Sequence, residues 1–338
     1  MATLKDVSRA AGVSLTQASR ALGGHSDVSP ETRRRVEEAA RDLRYRPNLS
    51  ARALRSGRSG LVALVAEAPA GDEGDDVLLE IVTGVSAAVA GQGLRLMLHV
   101  LQPGEDAADA HERLHAGGGV DGFVVIDPRE GDRRIARLRR IGAVFAVHGR
   151  PPEGAHPGAD IDNAAAAERM AAHLLGLGHR RIALIEGPAD MTFARDRAWG
   201  FARALAAAGL APDPALVRHG RMTAAEGGRA AAALLSWADP PTALVCGNAM
   251  LAEGALRAAA AARLEVPRQL SLLAHDDGLR RHDPARLVPP VGGSRSPLAE
   301  AWPHLAEGLA AALEGRAPPQ RVLVPGFRAG AGAAPPDR

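Results

Sequence analysis

The stretch Leu4-Lys-Asp-Val-Ser-Arg-Ala-Ala-Gly-Val-Ser-Leu-Thr-Gln-Ala-Ser-Arg-Ala-Leu22 contains two short helical patterns that meet at Gly12. A tight turn between two helices needs a residue that adopts positive φ at little steric cost, and glycine meets that need. Ser14 opens the second pattern as a good N-cap, because its hydroxyl accepts a hydrogen bond from a free N–H of the first turn. This layout predicts a helix-turn-helix, a motif whose second helix enters the major groove of DNA.

Positive charge is concentrated at the amino-terminal end. The whole chain of 338 residues carries a net charge of only +2. Residues 1–58 hold 12 Lys and Arg but 6 Asp and Glu, so this segment carries +6 and the remainder −4. A cationic segment joined to a mildly anionic body favours a polyanion-binding module attached to a second functional unit.

The composition also bears on the cellular compartment. Cys246 is the single cysteine, so no intrachain disulfide is possible and a reducing compartment is expected. The start Met1-Ala-Thr-Leu-Lys-Asp-Val7 lacks the apolar region of a signal peptide, and no run of about 18 apolar residues is free of charges. We therefore expect a cytoplasmic protein without a membrane span.

Further helical patterns follow the first two. One extends over residues 30–44, with Pro30 at its first position and apolar residues at helical spacing. Pro47 ends this pattern, and Asn48 is a candidate cap for a short helix over 49–55. Glycine and serine then indicate a flexible junction. The predicted domains are a helix-turn-helix headpiece over 1–46 and a hinge helix with linker over 47–60.

From Leu61 onward, short apolar runs alternate with Ala-rich helical stretches. Such alternation indicates a parallel sheet whose two faces are covered by helices. The predicted strands are 61–66, 94–98, 122–126, 143–147, 181–185, 242–246 and 270–274, and the predicted helices are 78–91, 106–116, 130–141, 164–177, 195–208, 224–237 and 249–263.

This body is long for one open sheet, so two lobes are expected. Asp160-Ile-Asp-Asn163, after a loop rich in proline and glycine, indicates where the chain enters the second lobe. A ligand would then bind between the lobes, at the carboxyl ends of the strands. We predict an effector-binding core over 61–330, with lobe 1 at about 61–159 plus 291–320, lobe 2 at about 160–290 plus 321–330, and a disordered tail over 331–338.

Seven short sequence motifs are distributed along the chain. They are Thr3-Leu-Lys-Asp-Val-Ser-Arg-Ala-Ala-Gly-Val-Ser14, Val28-Ser-Pro-Glu-Thr-Arg33, Leu43-Arg-Tyr-Arg-Pro-Asn48, Ala53-Leu-Arg-Ser-Gly57, Asp162-Asn163, Leu177-Gly-His-Arg-Arg-Ile-Ala183 and Arg197-Ala-Trp-Gly-Phe201. In this set the chain resembles the lactose-repressor (LacI) family of transcription regulators. The resemblance implies an all-α helix-turn-helix headpiece plus an α/β two-lobed core like periplasmic binding proteins, with parallel sheets flanked by helices.

By this resemblance, Ser14, Leu15, Thr16 and Gln17 begin the recognition helix, and Leu15 and Thr16 take the positions most often used to read bases. Glutamine pairs with adenine through both amide atoms, threonine bonds a base or touches a thymine methyl group, and leucine offers an apolar contact. The alternative is a surface helix that only packs on its neighbours. The candidate phosphate contacts are Arg20, Arg33, Arg52 and Arg55, although a solvated charged face would give the same pattern.

The hinge segment supplies three further candidate DNA contacts, Asn48, Ala51 and Leu54. By resemblance, Leu54 wedges into the minor groove at the centre of a palindromic site and kinks the duplex. The alternative is a contact with the hinge helix of a partner chain. An isolated helix of this length is marginal in water, so we expect it to order on DNA under the control of the effector.

Five residues of the body are candidate effector ligands. Arg197 matches the arginine that holds effectors in many family members, and its guanidinium suits paired sugar hydroxyls or a carboxylate. Asp276 follows a strand and could accept from two hydroxyls; for both residues the alternative is a salt bridge across the lobes. Asn248 matches a family asparagine. Phe193 could offer an aromatic platform or pack in the core, and Asp162 could equally be a strand-end residue.

Metal and catalytic patterns are absent from the sequence. His111 and His115 are spaced i,i+4 on a predicted helix but lack a third ligand, so a surface pair is the simpler interpretation. No Gly-x-Ser-x-Gly elbow, phosphate-binding glycine loop or Cys/His pair occurs. We therefore expect no cofactor, no metal and no enzymatic activity.

The resulting hypothesis is a ligand-responsive transcription regulator, expected to be a repressor. It would bind a pseudo-palindromic operator of double-stranded DNA as a homodimer, and a small molecule, expected to be a sugar or sugar derivative, would bind between the lobes. Two alternative functions predict different sequence features. A transport-type solute-binding protein would have an export signal and no basic head, and an enzyme using the cleft would need a catalytic set of residues.

Overall fold

The computed structural model of the chain divides into two compact units, Met1–Ser59 and Gly60–Arg338. It describes residues 2–22, 27–45, 58–68, 72–151, 154, 156–316 and 320–337, and for 72–75 the backbone alone. The predicted hinge contacts lie outside these residues, so the hinge helix stays a prediction. The candidates concerned are Asn48, Ala51, Arg52, Leu54 and Arg55.

In the described residues of the first unit there are three helices, at the places where the sequence predicts them. They are α1 (Leu4–Ala10), α2 (Leu15–Leu22) and α3 (Pro30–Asp42). Gly12 takes a φ of 62° in the turn between α1 and α2, which is the conformation required of a glycine there. Past the end of α3, Arg44 takes a φ of 49°, so the helix is shorter than predicted. The helices share one small core of Val7, Ala11, Ala18, Ala21, Val36, Ala39 and Ala40.

Local hydrogen bonds explain where α1 begins and how it is held. The Asp6 N–H donates to Thr3 Oγ1 at 3.3 Å, and the Thr3 N–H donates to Asp6 Oδ2 at 2.9 Å. This reciprocal pair confirms the capping predicted from the sequence. At the other end, Arg35 of α3 donates to the carbonyl of Ala11 at 2.9 Å, which ties α3 to the turn that precedes α2.

The first lobe of the second unit is built on a six-stranded parallel sheet. Its strands are β1 (Leu61–Ala66), β2 (Arg95–Val100), β3 (Gly122–Ile126), β4 (Phe145–His148), β5 (Gly158–Ile161) and β11 (Arg321–Leu323), in the order β11-β5-β4-β3-β1-β2. Its helices are α4 (Asp72–Gly91), α5 (Ala107–Ala116), α6 (Arg133–Arg140) and α11 (Leu298–Leu313). The central strands are apolar throughout because α4 and α11 cover one face of the sheet and α6 packs on the other.

The second lobe repeats this plan on a four-stranded parallel sheet. Its strands are β6 (Ile182–Glu186), β7 (Val217–His219), β8 (Ala243–Cys246) and β9 (Ser271–Ala274), in the order β7-β6-β8-β9, and its helices are α7 (Asn163–Gly176), α8 (Thr192–Ala207), α9 (Ala224–Leu235) and α10 (Ala249–Ala261). Helices α7 and α8 approach so closely that a Cβ at Gly200 would lie 2.0 Å from the carbonyl oxygen of Ala164. A glycine is therefore required at this point of α8.

The chain passes between the lobes at 161–163, 295–298 and 323–326, which corrects the predicted boundaries. The sequence predicts 291–320 in lobe 1 and 321–330 in lobe 2. Instead, β10 (Gly293–Arg295) pairs with β12 (Gly326–Arg328), and backbone bridges from Gly292 and Arg295 join it to lobe 2 beside β9. Strand β11 pairs with β5 of lobe 1. The pairing of the backbone sets these boundaries. A strand of three residues is too short to show a recognisable pattern in the sequence.

The prediction of a disordered tail over 331–338 is wrong for residues 331–337. The Leu272 N–H donates to the carbonyl of Gly332 at 2.7 Å. The ring of buried His179 and the hydroxyl of Ser271 both lie 2.9 Å from the carbonyl oxygen of Ala334. The Gly-His-Arg-Arg string thus holds the tail against the second sheet. Within the residues that the structure describes, no helix is both long enough and apolar enough to cross a membrane.

Candidate DNA-binding and ligand-binding sites

The start of α2 combines exposed side chains with a reciprocal cap. Leu15 is 50% exposed, and Thr16 is also exposed. The Gln17 N–H donates to Ser14 Oγ at 3.1 Å, while the Ser14 N–H donates to Gln17 Oε1 at 3.1 Å. The amide oxygen of Gln17 is therefore occupied by the cap, which leaves its NH₂ group as the available donor. Leu15 and Thr16 remain free to meet a base.

Arg20, a predicted phosphate contact, is paired within the first unit. Its guanidinium lies 2.5 Å from the carboxylate of Asp27, and both side chains are about half exposed. An exposed pair of this kind is weak, because water and salt screen it. A phosphate that approaches α2 would compete with Asp27 for this arginine.

In the second unit, Arg197 is buried at the start of α8. Its Nε donates to Asn163 Oδ1 at 2.8 Å, and its Nη1 donates to the carbonyl of Gly247 at 2.7 Å. The guanidinium also lies over the ring of Phe193, 5.2 Å from the ring centroid. Phe193 therefore packs on the predicted ligand arginine, and the groups that fix Arg197 come from the second lobe.

Two carboxylates face Arg197 from the ends of two strands. Glu186 Oε1 lies 3.6 Å from Arg197 Nη1, and Asp277 Oδ1 lies 3.9 Å from Arg197 Nη2. Burial raises the pKa of Glu186 above its usual value, against the opposing effect of Arg197. Burial likewise raises the pKa of Asp277 to about 7, helped by the negative charges of Asp276, Glu186 and Asp127 and opposed by Arg197. One guanidinium thus faces two carboxyl groups.

The structure places Asp277, and not the predicted Asp276, next to Arg197. Asp276 accepts hydrogen bonds from Arg295 Nε and from the Gly278 N–H, each at 2.8 Å. Its carboxylate therefore stabilises the turn at 276–278 and binds the arginine at the end of β10. Sequence reasoning missed Asp277 and Glu186, although both follow or end a predicted strand, where side chains converge on the cleft.

Asn248 and Asp162 act as helix caps. Asn248 Oδ1 accepts from the Leu251 N–H at 2.8 Å at the start of α10, and Asp162 Oδ1 accepts from the Ala165 N–H at 3.0 Å at the start of α7. The amide nitrogen of Asn248 lies 3.5 Å from the carbonyl oxygen of Met222. Both residues thus position backbone near the cleft, and a direct ligand contact by either one stays a prediction.

A cavity of about 600 Å³ lies between the two lobes. It is lined from both sides by methionine, aliphatic and charged side chains, and none of the five predicted effector ligands lines it. Among the described lining residues there is no aromatic side chain. The lobe 2 wall consists of Asp190, Met191, Arg221, Met222, Thr223 and Met250, and the lobe 1 wall includes Glu67, Ile81, Asp106, Asp127, Arg129, Glu130, Asp132, Arg133 and Arg134.

His111 is buried, so the expected surface pair with His115 is not what the structure contains. The Nδ1 atom of His111 lies 2.6 Å from the carbonyl oxygen of Ala107, and the ring packs on Phe123. In the described ranges, no group of three or more His, Cys, Asp or Glu side chains is arranged to hold a metal ion.

Comparison with known proteins places these sites in context. Residues 3–48 match the family described as bacterial regulatory proteins, lacI family, and residues 171–331 match the periplasmic binding protein-like domain. The HTH-type transcriptional regulator AglR of Rhizobium meliloti (strain 1021) is 39% identical over 308 residues, covering 90% of this chain and 86% of that protein. CelR of Thermobifida fusca is 34% identical over 286 residues, covering 81% and 82%.

Solved structures agree with the fold. A transcriptional regulator CelR-cellobiose complex is 29% identical, with a TM-score of 0.70 over 98% of this chain and 100% of that one. The lac repressor dimer bound to operator and the anti-inducer ONPF is 24% identical, with a TM-score of 0.76 over 98% and 99% of the two chains. At that identity the second likeness supports the fold alone.

Proposed function

Because this chain belongs to the lacI family of bacterial regulatory proteins and is a helix-turn-helix transcriptional regulator, we propose that it is a ligand-controlled repressor. Its first unit binds an operator, and a small molecule bound between the lobes of the second unit changes operator affinity. The observation that carries this proposal is the combination, in one chain, of a recognition helix with exposed Leu15 and Thr16 and a two-lobed core with a cavity of about 600 Å³ between the lobes. The protein acts in the cytoplasm and without catalysis.

The DNA partner is a pseudo-palindromic duplex bound by a homodimer. One chain supplies one recognition helix, and a two-fold dimer presents two of them to half-sites about one helical turn apart. The charge of +6 on residues 1–58 supports phosphate anchoring of each half. The direct base contacts are proposed for Leu15 and Thr16, with Ser14, Gln17 and Arg20 around them.

The effector is proposed to be a neutral polyhydroxyl compound, a sugar. A relative of similar fold forms a complex with cellobiose, which supports this class. The surroundings of Arg197 support it as well: the carboxyl groups of Glu186 and Asp277 already face the guanidinium, and any negative charge on them opposes the approach of an anionic ligand. Hydroxyl groups can donate to carboxylates and accept from the arginine, and so suit this cluster. The proposed contacts are Arg197 and Asp277, with Asn248 and Phe193 supporting them.

Effector binding acts on DNA affinity through the lobes. The ligand has to favour one arrangement of the lobes over the other, because equal affinity for both would shift nothing. A coupling of about 1–3 kcal/mol, or roughly 5- to 150-fold in operator affinity, is typical of such systems.

A thermal-shift screen tests the effector proposal. Full-length protein is heated with neutral mono- and disaccharides and with the matching sugar acids. A ligand that binds the native state at a hundredfold excess over its Kd stabilises it by about 2.7 kcal/mol, so at least one neutral sugar should raise the Tm. Arg197→Ala should abolish that rise, while Arg203→Ala, on the exposed side of the same helix, should retain it. Stabilisation by sugar acids alone would contradict the proposed class.

A further inference from the structure

We propose that two short segments, 128–130 of lobe 1 and 190–192 of lobe 2, form a clasp that holds the lobes together at the solvent edge of the inter-lobe cavity. The inference rests on the proposed function, because the cavity is taken as the effector site. The clasp regulates that site by setting how much of the protein occupies the closed arrangement of the lobes.

Backbone pairing forms the first part of the clasp. The Glu130 N–H donates to the carbonyl of Asp190 at 2.9 Å, and the Thr192 N–H donates to the carbonyl of Pro128 at 3.0 Å. Arg129 and Met191 form the antiparallel bridge between these bonds. Among the described strands, none in the six-stranded sheet pairs with one in the four-stranded sheet, so this pairing joins the lobes through two loops.

Charge complementarity forms the second part. Arg129 of lobe 1 makes an ion pair with Asp190 of lobe 2, and Glu130 of lobe 1 lies 3.8 Å from Arg195 of lobe 2. Lobe 1 thus presents a cation followed by an anion, and lobe 2 presents an anion followed by a cation. In the observed register each cation faces an anion of the other lobe. If one loop shifted along the other, like charges would come closer together.

The position of the clasp links it to the ligand site. Arg129, Glu130, Asp190 and Met191 all line the cavity, and the charged side chains among them are 40–67% exposed, so they lie at its edge with solvent. On the lobe 2 side, the clasp leads directly into α8, which carries Arg197. The clasp therefore forms part of the wall of the proposed effector site.

The clasp is suited to opening because its ion pairs are exposed. Exposed pairs are weak and are screened by salt, so the closed arrangement is favoured only modestly. A ligand that binds the closed arrangement gains or loses apparent affinity in proportion to the population of that arrangement. The charges of the clasp thus tune sensitivity without touching the Arg197 cluster.

Distance measurements between the lobes test the proposal. Ala116→Cys in lobe 1 and Ala262→Cys in lobe 2 introduce exposed labelling sites, while native Cys246 is fully buried. Spin-labelled full-length chain is diluted into unlabelled chain, so that each labelled protomer is measured alone. Arg129→Asp and Asp190→Arg should each lengthen and broaden the distance distribution. The double exchange R129D/D190R should restore it, because the ion pair re-forms with its charges reversed.

Arg203→Asp serves as the matched control, since it reverses an exposed charge paired with Glu168 outside the cavity. Its distance distribution should equal that of the wild type, and higher salt should move the wild type toward the single variants. Single variants with unchanged distances, or a double exchange no nearer to wild type than the singles, would overturn the clasp. Melting curves identify any variant that fails to fold.

Binding of the sugar with the largest thermal shift gives a second readout. Each single variant should raise its Kd at least threefold, and the double exchange should bring Kd back to within twofold of the wild type. A Kd that is unchanged in both single variants would refute the regulatory role. If no sugar binds, the proposed effector class fails, and the distance measurements still decide on the clasp by themselves.

Discussion

Arg197 and the two carboxyl groups that face it determine the chemistry of the ligand site at the scale of single residues. Asn163 and Gly247 fix the guanidinium by hydrogen bonds, while Glu186 and Asp277 place two carboxyl groups against its one positive charge. Repulsion between carboxylates and burial both favour a protonated acid. For Asp277 the raised pKa lies in a pH range in which unfolding can be measured.

The pH dependence of stability should report Asp277. Its carboxyl keeps its proton up to a pKa of about 7 in the folded state, whereas its ordinary pKa is 3.8. The folded state therefore binds more protons in this interval, so its contribution to the free energy of unfolding falls as pH rises from about 4 to about 7 and levels off above. Asp277→Asn should remove this fall, as urea unfolding at several pH values would reveal.

Asp160→Asn is the control for this experiment. Burial raises the pKa of Asp160 to about 6. Its replacement should therefore remove the part of the fall in the free energy of unfolding that ends near pH 6, and leave the fall between pH 6 and 7 that is due to Asp277. An Asp277→Asn variant whose stability runs parallel to the wild type over the whole range would contradict the assigned protonation.

The sequence pointed to Arg197 as an effector ligand only by its resemblance to a family, and that role stays a prediction; of the two adjacent aspartates it selected Asp276, whereas Asp277 is the one beside Arg197. Asp276 and Asp277 are adjacent and both follow β9, so periodicity cannot tell which one faces the cleft. The orientation of Asp276 is set by its hydrogen bonds to the Gly278 N–H and to Arg295 Nε. Those contacts arise from tertiary structure, which a single sequence does not contain.

At the scale of elements, α2 separates side chains that stabilise the helix from those that are free to read DNA. Ser14 and Gln17 cap the helix reciprocally, while Leu15 and Thr16 are exposed. A glutamine whose oxygen accepts the Ser14 N–H would have to release this cap before it could pair with adenine through both amide atoms.

Substitutions in α2 should therefore have different effects. Leu15→Ala and Thr16→Ala should each relax base preference at one operator position, by about 1–3 kcal/mol of discrimination. Gln17→Ala should lower helix stability by about 0.5–1.5 kcal/mol, because the Ser14 N–H loses its acceptor while the hydrogen bond from the residue-17 backbone to Ser14 Oγ stays, and it should weaken all operators alike. Binding to a library of operator variants would measure this, and equal relaxation of base preference by Gln17→Ala would contradict the assignment.

Regular elements of the core differ in how well their sequence predicts them. Strands β1 and β3 are apolar runs covered on both faces, and they begin and end where the sequence indicates. Strands β7 and β11 are three residues long and carry exposed polar side chains, so neither length nor periodicity reveals them. Helix α11 was not predicted, since Pro303 inside it interrupts the expected pattern.

At the scale of the whole molecule, charge and fold divide the chain into two functional units. The first 58 residues carry +6 and contain three helices in their described part, while the remainder carries −4 and forms two lobes around a cavity. The sequence predicted this division from charge and alternation alone. It did not predict how the carboxyl-terminal segment completes both lobes, because that depends on β11 and β12 pairing with distant strands.

Electrophoretic mobility shift of the gene's own promoter fragment, titrated with full-length protein at several salt concentrations, tests the central claim most directly. We predict a retarded complex whose association constant falls by about 10³-fold or more between 50 and 200 mM salt, and no retardation by residues 60–338 alone. Absence of retardation by folded full-length protein under every sugar tested, or an association constant that does not change with salt, would contradict the account.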